Sequence, residues 1–119
     1  MALTLRGEII EYCLTFPLSY EDYPFDDFNW TVMRRHDTDK GFCWIFEKDG
    51  KIWLNIKMRP EWGDFRRGIY ESVLPAYHMN KKHWSSVILD GSVPDEEIKT
   101  MIEESYGLCG KKHSQSVER

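Results

Sequence analysis

The stretch Lys51-Ile52-Trp53-Leu54-Asn55-Ile56-Lys57-Met58 alternates without a break. Ile52, Leu54, Ile56 and Met58 fall on one side, and Lys51, Trp53, Asn55 and Lys57 on the other. A period of two marks a half-buried strand, because successive side chains leave the backbone on opposite faces. The reading puts Ile52, Leu54 and Ile56 in a core and Lys51, Asn55 and Lys57 at solvent or the rim, since only an apolar face is buried cheaply. Immediately upstream, Asp49-Gly50 separates this strand from the aromatic and β-branched run Phe42 to Glu47. Asp-Gly suits a type I′ turn, in which both central residues take positive φ, so the two runs form an antiparallel hairpin.

Working outward, Trp30 to His36 reads as a strand that turns back through residues 36–41. Leu5, Ile9, Tyr12, Cys13 and Phe16 recur at helical spacing, which predicts a helix over about residues 3–15, stopped by Pro17. Residues 17–29 read as an irregular connector, acidic and aromatic. Pro60 opens a short helix to about Arg67, with Trp62, Phe65 and Ile69 turned inward. Residues 70–83 follow no single period. Trp84 to Leu89 makes a further strand. Ser92 and Asp95 form an S-x-x-D start signal for a last helix to about Leu108, with Ile98, Met101, Ile102 and Tyr106 on one stripe. The order is helix, three strands, helix, strand, helix. It defines an α+β class: an antiparallel sheet with helices packed on one face.

Composition agrees. A chain of 119 residues suits one domain, assigned to residues 1–110, with the polar residues 111–119 as a flexible C-terminal tail. Apolar residues make up 41% and charged ones 30%, and five Trp argue against disorder. No apolar run approaches the ~20 residues of a membrane span. Arg6, Glu8 and Glu11 interrupt the first sixteen residues, unlike a secretion signal. Cys13, Cys43 and Cys109 are odd in number and lack C-x-x-C spacing, which predicts buried free thiols, no zinc site and a cytoplasmic location.

The net charge of -4 is unevenly spread. Residues 1–29 hold one basic and six acidic side chains, residues 30–92 hold eleven and eight, and residues 93–119 hold four and six. An acidic total opposes tight nonspecific nucleic-acid binding, whereas the basic middle leaves room for a local contact face.

Within that middle lies Tyr77-His78-Met79-Asn80-Lys81-Lys82-His83-Trp84. With Val87-Ile88-Leu89-Asp90-Gly91, Pro94-Asp95-Glu96-Glu97-Ile98 and Glu104-Ser105-Tyr106, it resembles the MmcQ/YjbR-like family over about residues 5–108. Tyr23-Pro24-Phe25 and Trp30-Thr31-Val32-Met33-Arg34 fit the same pattern, with Asp26 where the family often has Gly. The resemblance implies small bacterial cytoplasmic proteins with a compact α+β fold, likened to frataxin and to secretion chaperones, and a suggested DNA-binding role.

These readings lead to a non-enzymatic binding protein that contacts DNA weakly through its middle segment. The candidate contacts are Arg34, Lys48, Lys51, Arg66, Arg67, Tyr77, Asn80, Lys81, Lys82, His83 and Trp84. Lys81 and Lys82 would meet phosphates, His83 would hydrogen-bond one, and Tyr77 or Trp84 would stack on a base. Each has a plainer role in competition: Asn80 satisfying turn backbone, Trp84 filling the core, the arginines pairing with acids, the hairpin lysines keeping an edge soluble. A second reading is a protein-interaction or chaperone-like adaptor that uses the sheet face or the Tyr20–Phe28 connector. A third is a small-ligand pocket lined by Tyr77, His83 and Trp84.

No cofactor is implied. His78 and His83 are five apart, outside recognised metal-ligand spacing. The acidic run Glu21, Asp22, Asp26, Asp27 lacks the regular oxygen-ligand loop of a calcium site. There is no G-x-S-x-G and no Gly-rich phosphate loop. If the thiols are reduced and folding needs no metal, chelator plus reductant leaves the melting temperature unchanged; a large drop in a thermal scan would count against both points.

Overall fold

The computed structural model describes residues 3–111. The elements are α1 (Arg6–Cys13), β1 (Ser19–Asp22), β2 (Thr31–Arg35), β3 (Gly41–Lys48), β4 (Lys51–Lys57), α2 (Pro60–Ile69), β5 (Val73–Pro75), β6 (Trp84–Ile88) and α3 (Asp95–Leu108). The six strands form one antiparallel sheet in the order β1-β2-β3-β4-β6-β5. The α+β class and the sequence of helices and strands are as read above. Two short strands are added: β1 inside the stretch read as an irregular connector, and β5 inside the stretch without a period. Both lie at sheet edges, where three or four residues leave too little periodicity to recognise. The former residues 111–119 segment falls outside the described residues from position 112 onward.

The β3–β4 hairpin is at the centre. Its turn has φ of 55° at Asp49 and 77° at Gly50, the two positive values a type I′ turn requires. Paired residues share a face, so Cys43 with Ile56, Ile45 with Leu54 and Leu54 with Val87 define one side of the sheet. That side packs against Ile9 and Cys13 of α1 and Ile98, Met101 and Ile102 of α3, all buried. The three cysteines are free and buried. Burial pushes the Cys43 and Cys109 thiols upward in pKa.

The opposite side carries Arg34, Trp44, Phe46, Trp53, Asn55 and Ser86, and no helix covers it. A bulge adjusts the register: Met33 faces Cys43 while Arg34 faces Gly41, leaving Phe42 as the extra residue. Phe42 and Cys43 thereby both enter the helix-side core, fully buried. At the same end, Ser105 of α3 replaces a direct ladder bond. Its hydroxyl accepts from the Lys57 amide at 3.0 Å and donates to the Phe42 carbonyl at 2.6 Å.

Four expectations are corrected. Asn55 is fully buried instead of facing the rim, and Ile52 is only partly buried. On α2 the inward residues are Gly63 and Arg66, whereas Trp62, Phe65 and Ile69 are exposed. Two glutamates on α3 receive the Arg66 guanidinium, which rotates the apolar stripe outward. The residue before α3 is Pro94, and the Ser92 hydroxyl instead bonds Asp90 and Ser72.

Leu54 is fully buried at the middle of the hairpin. Leu54→Ala is expected to cost roughly 2–5 kcal/mol in a denaturant titration, the range for a large-to-small core change. A loss below about half a kcal/mol would be incompatible with this packing.

Candidate binding site on the helix-free face

The helix-free face is covered by two loops, each fastened by a polar anchor. The first anchor is Asn55. Its amide donates to the Tyr77 carbonyl at 2.8 Å and its Oδ1 accepts from the Ser86 hydroxyl. The Ser86 Oγ in turn accepts from the Tyr77 amide at 2.8 Å. Three residues thus close a ring of hydrogen bonds, so two buried polar side chains are satisfied by a loop backbone. The second anchor is Asn29. Its side chain brackets Glu47, accepting from its amide at 2.9 Å and donating to its carbonyl at 3.1 Å. Arg6 of α1 holds the same loop through the Asn29 carbonyl at 2.7 Å and reaches Thr31 and Ile45.

These anchors place aromatic rings in order. Phe46 is buried between Trp30, with ring centres 4.3 Å apart, and Tyr77, at 5.5 Å. Trp30 then meets Trp44 at 6.5 Å and Phe25 at 6.1 Å, each with an interplanar angle of 78°. Gly41 makes room for Trp44: a Cβ there would stand 2.8 Å from the indole nitrogen and 2.6 Å from Val32. Between the loops opens a groove of about 530 Å³ lined by Phe25, Asp26, Asp27, Trp30, Trp44, His78 and Met79. That size lies in the usual range for small-molecule sites.

The residues singled out as DNA contacts are dispersed. Arg34, Lys48, Tyr77 and Trp84 are on the helix-free side. Arg34 pairs with Asp22 at 2.7 Å and lies 5.8 Å from the Trp44 ring centre. Lys48 lies over Trp53 and Tyr77 and faces Lys51 across the end of the hairpin. Lys51, Lys82 and His83 are exposed. The Lys81 ammonium donates to the Ala76 carbonyl within its own loop. Asn80 has the plainer role, its Oδ1 accepting from the amides of Lys82 and His83.

Arg66 and Arg67 are on the helix side of the sheet. Arg66 is buried, bonded to Glu97 and doubly to Glu104, and these partners raise its pKa. Arg67 bonds Asp64 and Ser85. The neighbours Arg34 and Arg35 split between faces as a strand requires, Arg35 lying 4.1 Å from the Tyr106 ring centre.

The connector's tyrosines are tied by their hydroxyls: Tyr20 to Asp39 and Tyr23 to Glu21. Hydrogen bonding to these carboxylates raises both phenol pKa values. The sequence reading missed Trp30, Trp44, His78 and Met79 as site residues. The available signal was Trp44 alternating with Phe46 on the side of β3 opposite Cys43 and Ile45.

The fold and this face define a small α+β protein with one helix-covered sheet surface and one open aromatic surface. The chain belongs to the YjbR family, whose model matches residues 14–108. It is 31% identical to the YjbR protein of Escherichia coli (strain K12) over 100 residues, covering 84% of this chain and 82% of that protein. It is 34% identical to YyaQ of Bacillus subtilis (strain 168) over 99 residues, covering 73% and 82%. Among solved structures, the Deinococcus radiodurans protein DR2400 matches with a TM-score of 0.83 at 32% identity, over 98% of this chain and 86% of that one. A Pseudomonas syringae protein matches with a TM-score of 0.78 at 29% identity, over 88% and 98%.

Because Arg66 is held on the helix side, its removal acts on stability. Arg66→Ala is expected to lower unfolding free energy by roughly 2–3 kcal/mol, since charge-assisted hydrogen bonds are lost. Chemical shifts of the Trp30 and Trp44 indole groups should stay in place. A variant as stable as the parent would contradict this role.

Proposed function

We propose that this chain is a non-enzymatic binding protein whose ligand enters the groove between the Phe25–Trp30 loop and the His78–Met79 loop. The observation that carries the reading is the groove itself: three aromatic side chains, already ordered by buried anchors, with apolar surface open to solvent. Ordered rings lose little entropy on binding, so their contact area converts into affinity. The exposed Phe25 and Phe28 extend apolar surface beyond the groove mouth. Three buried free thiols fit a reducing compartment, and we place the protein in the cytoplasm on that ground.

The test is a screen of small aromatic and alkyl fragments against the labelled full chain by NMR. Shifts concentrated on the Trp30 and Trp44 indole N–H groups, and lost in Trp44→Ala, are the expected result. Fragments that move Trp62 and leave Trp30 and Trp44 unmoved would place binding elsewhere and end the proposal.

A second reading has its own support. Lys48 and Lys51 face each other at the hairpin end, and the Lys48 ammonium lies 5.1 Å from the Trp53 ring centre and 5.5 Å from that of Tyr77. Cations beside rings are the elements of a weak single-strand contact. In this reading DNA affinity falls with salt at a slope near -0.9 per phosphate neutralised on duplex DNA. Replacing both lysines with alanine should flatten the slope by up to about 2 units. No salt-dependent binding at tens of micromolar would remove the nucleic-acid reading.

A further inference from the structure

The groove has a chemistry more specific than an apolar slot. Phe25, Trp30 and Trp44 follow one another at near-right angles, with centres 6.1 and 6.5 Å apart. Such rings present walls in different directions around one volume. Aromatic faces carry negative potential and attract cations. The two charged side chains that line the groove are Asp26 and Asp27, both exposed and both acidic. Neither is in an ion pair among the described residues. The nearest intrinsic cation, Arg34 at 5.8 Å from the Trp44 ring centre, is neutralised by Asp22. An anionic ligand would meet two carboxylates in this groove.

The type of cation follows from hydrogen-bond counting. A guanidinium has five N–H donors and a primary ammonium three, and each unpaired donor that leaves water is costly. The groove offers few acceptors, and Asp27 Oδ1 already accepts from the Asn29 amide at 3.1 Å. A quaternary ammonium has no N–H to satisfy. Its methyl groups suit rings, and its diffuse charge suits nearby carboxylates.

We propose that the groove takes a small quaternary ammonium compound, its trimethylammonium head boxed by Phe25, Trp30 and Trp44 beside the Asp26 and Asp27 carboxylates. The inference rests on the reading of the groove as the binding site. Its volume of about 530 Å³ exceeds the head alone, so the ligand carries a further substituent toward His78 and Met79.

The experiment compares choline with 3,3-dimethyl-1-butanol, its uncharged isostere, by NMR titration of the full chain. Choline is expected to bind at least about tenfold more tightly, within the range of cation–π attraction, with shifts at the Trp30 and Trp44 indole groups. The double variant D26N/D27N keeps side-chain shape and an acceptor for the Asn29 amide, and should erase most of the preference. Trp44→Leu keeps an apolar wall without the π face, and should weaken choline while sparing the neutral alcohol. Equal binding of the two probes would overturn the cation inference and leave the groove reading standing. So would silence from both probes while neutral aromatic fragments still shift Trp30 and Trp44. Silence from probes and fragments alike would remove both. A trimethyllysine peptide binding more tightly than choline would overturn the choice of a small molecule.

Discussion

The open side of this sheet depends on Asn55. A carboxamide at a fully buried strand position would be strongly unfavourable without partners. Here Ser86 and the Tyr77 backbone close a ring around it. Because the partner is loop backbone, the satisfied polar group also dictates where residues 76–80 run. Tyr77 is then laid on Phe46, and His78 and Met79 are carried to the edge of the groove. His78 adopts a φ of 64°, a left-handed conformation uncommon for non-glycine residues, directly after the pinned Tyr77. The ring of hydrogen bonds supplies a constraint that can hold this backbone in place.

The second loop uses a different device with the same effect. Asn29 continues the sheet beside Glu47 with its side chain, and Arg6 reaches from the helix side to its carbonyl. Trp30 is therefore positioned by groups outside the groove. Phe46, buried between Trp30 and Tyr77, couples the two loops through packing. A sheet face covered by loops in place of helices has space that helices would have filled. The rings at its margin stay partly solvated yet ordered, which is the condition for a preformed site.

The period of two in residues 51–58 made the hairpin, and with it the class of fold, readable from the residues alone. The same alternation misplaced Asn55, because a pattern of polar and apolar positions records faces and does not record what covers the second face. Nothing local reveals that Ser86, thirty-one positions away, completes the amide. The error on α2 has a related cause. Its apolar spacing at Trp62, Phe65 and Ile69 suggested an inward stripe, but a buried triad of Arg66, Glu97 and Glu104 draws the opposite side inward. A long-range ion pair cannot be seen in helical periodicity. The acidic connector was recognised as distinctive, while the rings facing it, Trp30 and Trp44, were absorbed into strands. A groove is made from both, and the pairing is a tertiary fact.

Charge in the sequence and charge at the surface also differ. The basic middle segment suggested a polyanion surface, but folding uses much of that charge internally. Arg66 and Arg67 face the helix side, Arg34 and Arg35 each pair with an aspartate, and the Lys81 ammonium bonds a backbone carbonyl. Lys48 and Lys51 remain at the hairpin end, and Lys82 remains exposed on its loop. The acidic first segment is different: Asp26 and Asp27 stay exposed at the groove without a basic partner among the described residues. Ion pairing therefore spares negative charge where the aromatic rings converge. A ring quadrupole and a carboxylate both favour positive charge, and they act together only when they border the same volume, as they do between Phe25 and Trp44.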